Sequence, residues 1–257
     1  MVTNDILLSA LADRGFKHED KLLHVFAGGS QLHGAMLPGK MDLDVYGVFI
    51  ESPVMALGLD REEHFVTSTS DQTSKNTSAD VDYQLYTLRK WATLAAKGNP
   101  TVLGYLFAPT TIEGVWKEVI LPNRHLFLAS SHAKGFLGMG RNQLHRLQGL
   151  KGAGKHGQRD DSKGYDTKAA MHMIRMMSEC LEFLETGIIT YPRPDVDLLL
   201  SIRQGEFTQT YVEQLFCQLE LQVLRAEVES NLPRYVDRVA ISKLITEAYL
   251  KHWKLGA

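Results

Sequence analysis

Residues 26 to 49 constrain this chain more than any other stretch. They read Phe-Ala-Gly-Gly-Ser-Gln-Leu-His-Gly-Ala-Met-Leu-Pro-Gly-Lys-Met-Asp-Leu-Asp-Val-Tyr-Gly-Val-Phe. An apolar run (Leu22, Leu23, Val25, Phe26) leads into a turn at Gly28, Gly29 and Ser30. After a spacer come Asp42 and Asp44, with Leu43 between them, and a second apolar run from Val45 to Ile50. Glycines let backbone N–H groups approach an anion closely, and a turn that opens a helix aims several of them at one point. Ser30 adds a hydroxyl. Alternate residues of a strand share a face, so Asp42 and Asp44 project together. Two adjacent carboxylates repel unless a cation lies between them, and hard oxygen ligands of this kind suit Mg²⁺ or Mn²⁺. A phosphate cradle facing a carboxylate pair is a minimal kit for metal-assisted phosphoryl or nucleotidyl transfer.

Around this stretch, strand and helix periods alternate through the first hundred residues. A helix is expected at 4–15, strands at 21–27 and 42–50, and a short helix at 30–36. Pro53 to Leu57 reads as a turn or a short helical piece. Residues 67–80 are almost wholly polar and read as a loop, either a flap over the site or a plain solvated connection. The alternation of Val81, Tyr83 and Leu85 against Asp80, Asp82 and Gln84 predicts a strand. From Thr87 the period turns helical, with Leu88, Trp91, Leu94 and Ala95 on one stripe. Gly98 ends that helix, and Asn99-Pro100 starts the next.

Beyond Pro109 only helices are expected: 112–119, 124–130, 132–148, a strong one from Lys168, a short one before Arg203, then 208–229 and 235–254. Lys168, His172 and Arg175 lie at i, i+4 and i+7, so they project together. They suit a triphosphate or an RNA backbone, and the bland alternative is a solvated face with Arg175 paired to Glu179. His172 is either a cation or a neutral hydrogen-bonding group. Arg203 either reaches the site or serves a structural ion pair. The Gly- and cation-rich stretch 149–168 reads as a phosphate-contacting segment or a flexible linker.

Hydrophobic content of 44% and charged content of 23% place the chain among soluble globular proteins. A net charge of −2 gives no global basic field, so nucleic-acid binding needs a local patch. Cys180 and Cys217 both sit in apolar helical patterns and are expected as reduced core residues. The start of the chain lacks a basic, apolar signal pattern, and no run reaches membrane-span length, so a cytoplasmic protein without membrane contact is expected.

The order of these features resembles the DNA polymerase β-like nucleotidyltransferase superfamily. Its signature is Gly-Gly or Gly-Ser after an apolar residue, a spacer of about ten residues, then Asp-x-Asp. Gly29, Ser30, His33 and Gly34 match the first half, and Asp42 and Asp44 the second. Within it the chain is similar to the nucleotidyltransferases associated with RNA ligases and RNA repair. That likeness rests on Leu88-Arg89-Lys90 through Lys97-Gly98-Asn99-Pro100, Gly164-Tyr165-Asp166-Thr167-Lys168 with His172 and Arg175, and Arg193-Pro194 followed by Ile202-Arg203-Gln204-Gly205-Glu206. One departure is visible: related sequences read Pro-Gly-Ser-Asp-x-Asp, where this chain has Pro38-Gly39-Lys40-Met41 before Asp42.

The resemblance implies an α+β fold. A small mixed β-sheet nucleotidyltransferase core with helices (1–120) would be followed by a mostly α-helical C-terminal domain (121–257) that completes the cleft. It implies a third carboxylate on the strand after the polar loop. Asp82, between Val81 and Tyr83, is preferred, with Asp80 as its rival. Asp42, Asp44 and Asp82 would then be catalytic residues binding Mg²⁺ or Mn²⁺. Gly28, Gly29, Ser30, His33, Lys168, His172 and Arg175 would bind the nucleotide. The implied reaction moves a nucleoside monophosphate from an NTP to an acceptor hydroxyl, with an RNA 3′ end, such as that of a damaged tRNA, as acceptor. The alternatives are a toxin-like enzyme modifying a protein or small molecule, and a non-catalytic nucleotide- or RNA-binding module. The sequence leaves the base of the NTP and the oligomeric state open.

Overall fold

The structure is a computed structural model that describes residues 11, 15–17, 21–37, 43–59, 61–68, 81–109, 112–150 and 163–254. The expected helix at 4–15 falls almost wholly outside these residues, as do Asp42, Asp80 and residues 151–162 of the Gly- and cation-rich stretch.

Four strands form one mixed sheet in the order β1-β2-β4-β3. β1 (Leu22–Ala27) pairs antiparallel with β2 (Leu43–Phe49), and β2 runs parallel to β4 (Val81–Thr87). Parallel neighbours cannot be joined by a tight hairpin. The described part of the connection carries α2 (Pro53–Leu57) and β3 (His64–Ser68), and β3 pairs antiparallel with β4. The sequence had given no sign of β3 and placed Thr67 and Ser68 in a loop. The reason is visible: β3 is an edge strand, Phe65 alone packs onto a core, and Val66 is 61% exposed. Edge strands need little apolar surface, so their alternation is faint.

The alternation along each strand divides the sheet into two faces. Val45, Phe49, Tyr83 and Leu85 bury one face with Leu22, Val25, Leu11 and Phe16, whose ring meets Phe49 edge-on at 5.3 Å. Phe26 and Val48 on the other face join a continuous apolar cluster that runs through Trp91, Trp116 and Phe136 to Met177 and Phe183.

α1 (Gly29–His33) follows β1 directly. α3 (Leu88–Ala96) starts where Thr87 accepts the Lys90 N–H at 3.3 Å. Asn99 accepts the Val102 N–H at 3.1 Å and so caps α4 (Pro100–Leu103), whose first residue is proline as expected. The helices expected at 112–119 and 124–130 become a wide π turn at Trp116–Ile120 and a 3₁₀ segment at Leu121–Phe127. Pro122 lacks the N–H that a regular α-helix would use there.

The long helices are α5 (Ala133–Leu147), α6 (Thr167–Thr186), α7 (Val196–Gln204), α8 (Gln209–Glu229) and α9 (Arg238–Trp253). Cys180 is buried, but Cys217 is exposed, so the expectation of two core cysteines is corrected. Phe216, its neighbour in sequence, takes the inward position on α8, which turns Cys217 outward. α9 returns to the sheet: the Tyr249 hydroxyl donates to Glu51 Oε2 at 2.7 Å, and Trp253 Nε1–H donates to the Glu51 carbonyl at 3.0 Å. Among the described residues no helix is long and apolar enough to cross a membrane.

Candidate active site

The site forms where β1 ends and β2 and β4 begin. The parallel register pairs Asp44 directly with Asp82, so both carboxylates project from the same face of adjacent strands. Ser68 on β3 pairs with Asp82 and joins that face.

The two glycines of the turn have separate reasons. A Cβ on residue 29 would lie 1.8 Å from Asp44 Oδ2, and the backbone there has φ +52°, a conformation that favours glycine. A Cβ on residue 28 would lie 2.3 Å from a ring carbon of Tyr46. The turn is therefore glycine so that a carboxylate and an aromatic ring from β2 can lie against its backbone. The Gly28 N–H donates to the Asp44 carbonyl at 2.7 Å, so that N–H is used to fix the turn on β2 rather than offered outward.

A cavity of about 330 Å³ opens beside Asp44, on the helical side. α1 contributes Gly29, Ser30 and His33, α6 contributes Lys168, His172, Arg175 and Glu179, and α7 contributes Arg203. Lys168, His172 and Arg175, at i, i+4 and i+7 of α6, thus line one cavity with the glycine turn. The pairing of Arg175 with Glu179 is also present, at 2.8 Å, and forms part of the cavity wall.

Glu179 is the centre of that wall. Its carboxylate, only 3% exposed, lies 2.8 Å from Arg175 Nη1 and 3.1 Å from His33 Nδ1, and Arg175 Nη1 lies 2.8 Å from His33 Nε2. A neutral His33 with its proton on Nδ1 donates to Glu179 and accepts from Arg175. Burial first, and then the Arg175 charge, lower the His33 pKa below its usual 6.5, which fits the neutral form. For Glu179, burial pushes the pKa up, but Arg175 and His33 outweigh it and hold the carboxyl at about 2. His172 is lowered well below 6.5, by burial and then by the charges of Arg175 and Lys168, so the structure favours the neutral histidine over the cation.

Three contributors were not foreseen or were left undecided. Tyr46 stacks on Tyr105 with centroids 5.9 Å apart and lines the cavity. Its signal was its place two residues after Asp44, on the same face. Tyr191 meets the His33 ring at 5.2 Å from a loop distant in sequence, and no local pattern marks it. Arg203 lines the cavity and donates from Nη1 to the Thr167 hydroxyl at 2.9 Å. Glu182, further along α6, holds Thr190 and Arg193. The Arg193 N–H in turn donates to the His33 carbonyl at 3.1 Å and ties this loop to α1.

A second cavity, of about 620 Å³, lies on the other side of Asp44. Val66, Ser68, Asp82 and Gln84 help to line it, and none of its described lining residues is cationic. Asp44 and Tyr46 line both cavities.

The donor chemistry suits a hard divalent cation: Asp44 and Asp82 offer oxygen ligands from one face. Among the described residues no group of three metal-ligating side chains is present, and Asp42, the remaining candidate, lies outside them.

Comparison with known proteins gives three findings. Residues 4–243 match the family described as the RNA repair pathway DNA polymerase beta family. Among curated proteins, an uncharacterized 38.9 kDa protein from Enterobacteria phage T4 is 29% identical over 188 residues. That match takes in 70% of this chain and 52% of the phage protein, so the chain spans about half the length of that relative. Among solved structures, a nucleotidyltransferase-like protein from Exiguobacterium sibiricum matches 97% of this chain and 76% of its own, with 13% identity and a TM-score of 0.29, a value too low to carry an argument.

Proposed function

The chain belongs to the RNA repair pathway DNA polymerase β family, and on that premise we propose that it transfers a nucleoside monophosphate from an NTP to the hydroxyl of an RNA 3′ end, releasing pyrophosphate. The observation that carries this reading is the position of Asp44. Its carboxylate lies against the Gly29 turn, beside Asp82, at the meeting point of a cavity lined by cations and one whose described lining has none.

In this reading the triphosphate occupies the cationic cavity. Lys168, Arg175 and Arg203 neutralise its charge, and Ser30 donates to a phosphate oxygen. Glu179 fixes the Arg175 guanidinium and the His33 ring before the nucleotide arrives, so little reorganisation is left for the reaction. The acceptor hydroxyl lies on the β3 side, where Asp82 accepts its hydrogen bond and orients it toward the α-phosphate. In-line attack there forms the new P–O bond and breaks the bond to pyrophosphate. Asp44 and Asp82, with Asp42, would hold Mg²⁺ or Mn²⁺, which when bound lowers the pKa of the acceptor hydroxyl and stabilises charge on the leaving oxygens.

The test is transfer of label from each α-³²P NTP, with Mg²⁺ or Mn²⁺, to bulk RNA or to cell extract, beside Asp42→Asn and Asp44→Asn. Label in RNA that both variants lose supports the reading and identifies the base. Label in a protein band would replace RNA with a protein acceptor. Activity that persists in both variants would remove the carboxylates from the mechanism.

A further inference from the structure

α8 carries two apolar stripes. Val212, Phe216, Val223 and Ala226 face inward and pack the helix onto α5 and α6. On the outer side Cys217 is exposed, Leu221 is 60% exposed, Leu224 41% and Val228 85%. These four lie at i, i+4, i+7 and i+11. A spacing of alternate fours and threes is the seam of a two-helix coiled coil, with Leu221 and Val228 in its a positions and Cys217 and Leu224 in its d positions. Isolated surface leucines need no explanation, but a seam at heptad spacing along two turns and more of one helix does.

From this seam we infer that a second copy of the chain docks here, α8 against α8 in parallel. Charge decides both the partner and the direction. In that heptad frame Glu213, Glu220 and Glu227 occupy the g positions, and Gln218 and Arg225 the e positions. A parallel pair sets g against the following e of its partner, so Glu220 faces Arg225 of the other copy twice across the two-fold axis. An antiparallel pair would set glutamates against glutamates. Glu220 also accepts from Arg141 Nε at 2.7 Å within its own chain, which holds it in place, and a carboxylate can accept from two guanidinium groups. At the C-terminal end of the seam, Val228 at a with Leu224 at d is the combination that favours two strands. α8 is already folded on its own core, so docking carries no cost of helix nucleation. The inference is independent of the catalytic reading.

Cys217 makes the test direct. In the parallel pair the two Cys217 residues face each other in a d layer, within the roughly 4.4–6.8 Å of Cα separation that a disulfide requires. With copper–phenanthroline as oxidant, the two thiols give up two protons and two electrons and form an intermolecular disulfide. Cys180 is buried and does not compete.

The experiment measures mass by light scattering across a dilution series up to about 100 μM of the full chain. It is paired with oxidative cross-linking, and Cys217→Ser serves as control. The expected result is a concentration-dependent dimer that cross-links only through Cys217. Leu221→Glu should abolish the dimer while leaving the far-UV spectrum unchanged, since the side chain lies outside the monomer core. Arg225→Glu should weaken the dimer about tenfold, less so at high salt. A monomer at every concentration overturns the inference, and so does a dimer that survives Leu221→Glu. A dimer that Leu221→Glu disperses but that never cross-links through Cys217 overturns the parallel arrangement.

Discussion

The two cavities that meet at Asp44 are built from different materials. On the helical side, α6 and α7 bring Lys168, Arg175 and Arg203 to one cavity, where the buried Glu179 carboxylate holds Arg175 and His33. On the β3 side the described lining offers two carboxylates, a serine, a threonine, a glutamine, two tyrosines and an exposed valine, and no cation. A polyphosphate needs fixed positive charge to leave water, whereas a sugar hydroxyl needs an acceptor and room. The contrast therefore divides the proposed reaction into a nucleotide side and an acceptor side, with Asp44 belonging to both. It also explains why net charge was uninformative: Lys168, Arg175 and Arg203 line one cavity in a chain of net charge −2.

The sharpest way to break this division is to compare its two carboxylates. Asp44→Asn and Asp82→Asn should each lower transfer at least about 10³-fold, on the scale of losing a main electrostatic group from a catalytic site. Only Asp44→Asn should also weaken metal-dependent binding of an α,β-methylene NTP analogue by calorimetry. With Asp82→Asn that affinity should stay within about twofold. Equal weakening by both variants would merge the two sides into one.

A smaller effect tests whether Glu179 organises the nucleotide side. Glu179→Gln leaves Arg175 facing a neutral group in a partly buried setting and should cost about 3 kcal/mol of stability, together with a raised KM for the NTP. Its pH dependence gives a signature. The unfolded chain takes up this proton near 4.5 and the folded chain only near about 2, because Arg175 and His33 outweigh the cost of burial. The contribution is therefore complete above about pH 4.5 and is lost as the pH falls toward 2. The wild-type melting temperature should fall through that window more steeply than that of the glutamine variant. Lys168→Ala, at an exposed rim position, should weaken nucleotide binding only about fivefold, and the difference should shrink as salt is added.

The same contrast explains what the sequence could and could not convey. Gly29, Asp44, Lys168, His172 and Arg175 were legible because each belongs to a local rule: a turn, a strand period or a helix period. The structure brings Gly29 and Asp44 from one stretch against α6 from another, and that meeting depends on tertiary packing that no window of sequence contains. β3 was missed because an edge strand with one inward side chain, Phe65, has almost no period to detect. Cys217 was misplaced because α8 is apolar on both sides, and a helix with two stripes cannot be oriented from its pattern alone. Arg203 stayed undecided for want of a partner in sequence. In the fold it reaches Thr167, the residue next to Lys168, from the neighbouring helix.

The least expected loss is also the most specific to the acceptor side. Ser68 lies beside Asp82 across the β3–β4 register, at an edge of the sheet where no core depends on it. Ser68→Ala removes one hydroxyl from that edge. If an RNA end enters along β3, the variant should raise KM for the acceptor about two- to fivefold, the worth of one hydrogen bond in a wet site, with the NTP affinity unchanged. Steady-state kinetics with acceptor and nucleotide varied in turn separates the two. A change confined to the nucleotide would mean that the triphosphate reaches past Asp44 onto β3, and the division between the cavities would have to be redrawn one strand further out.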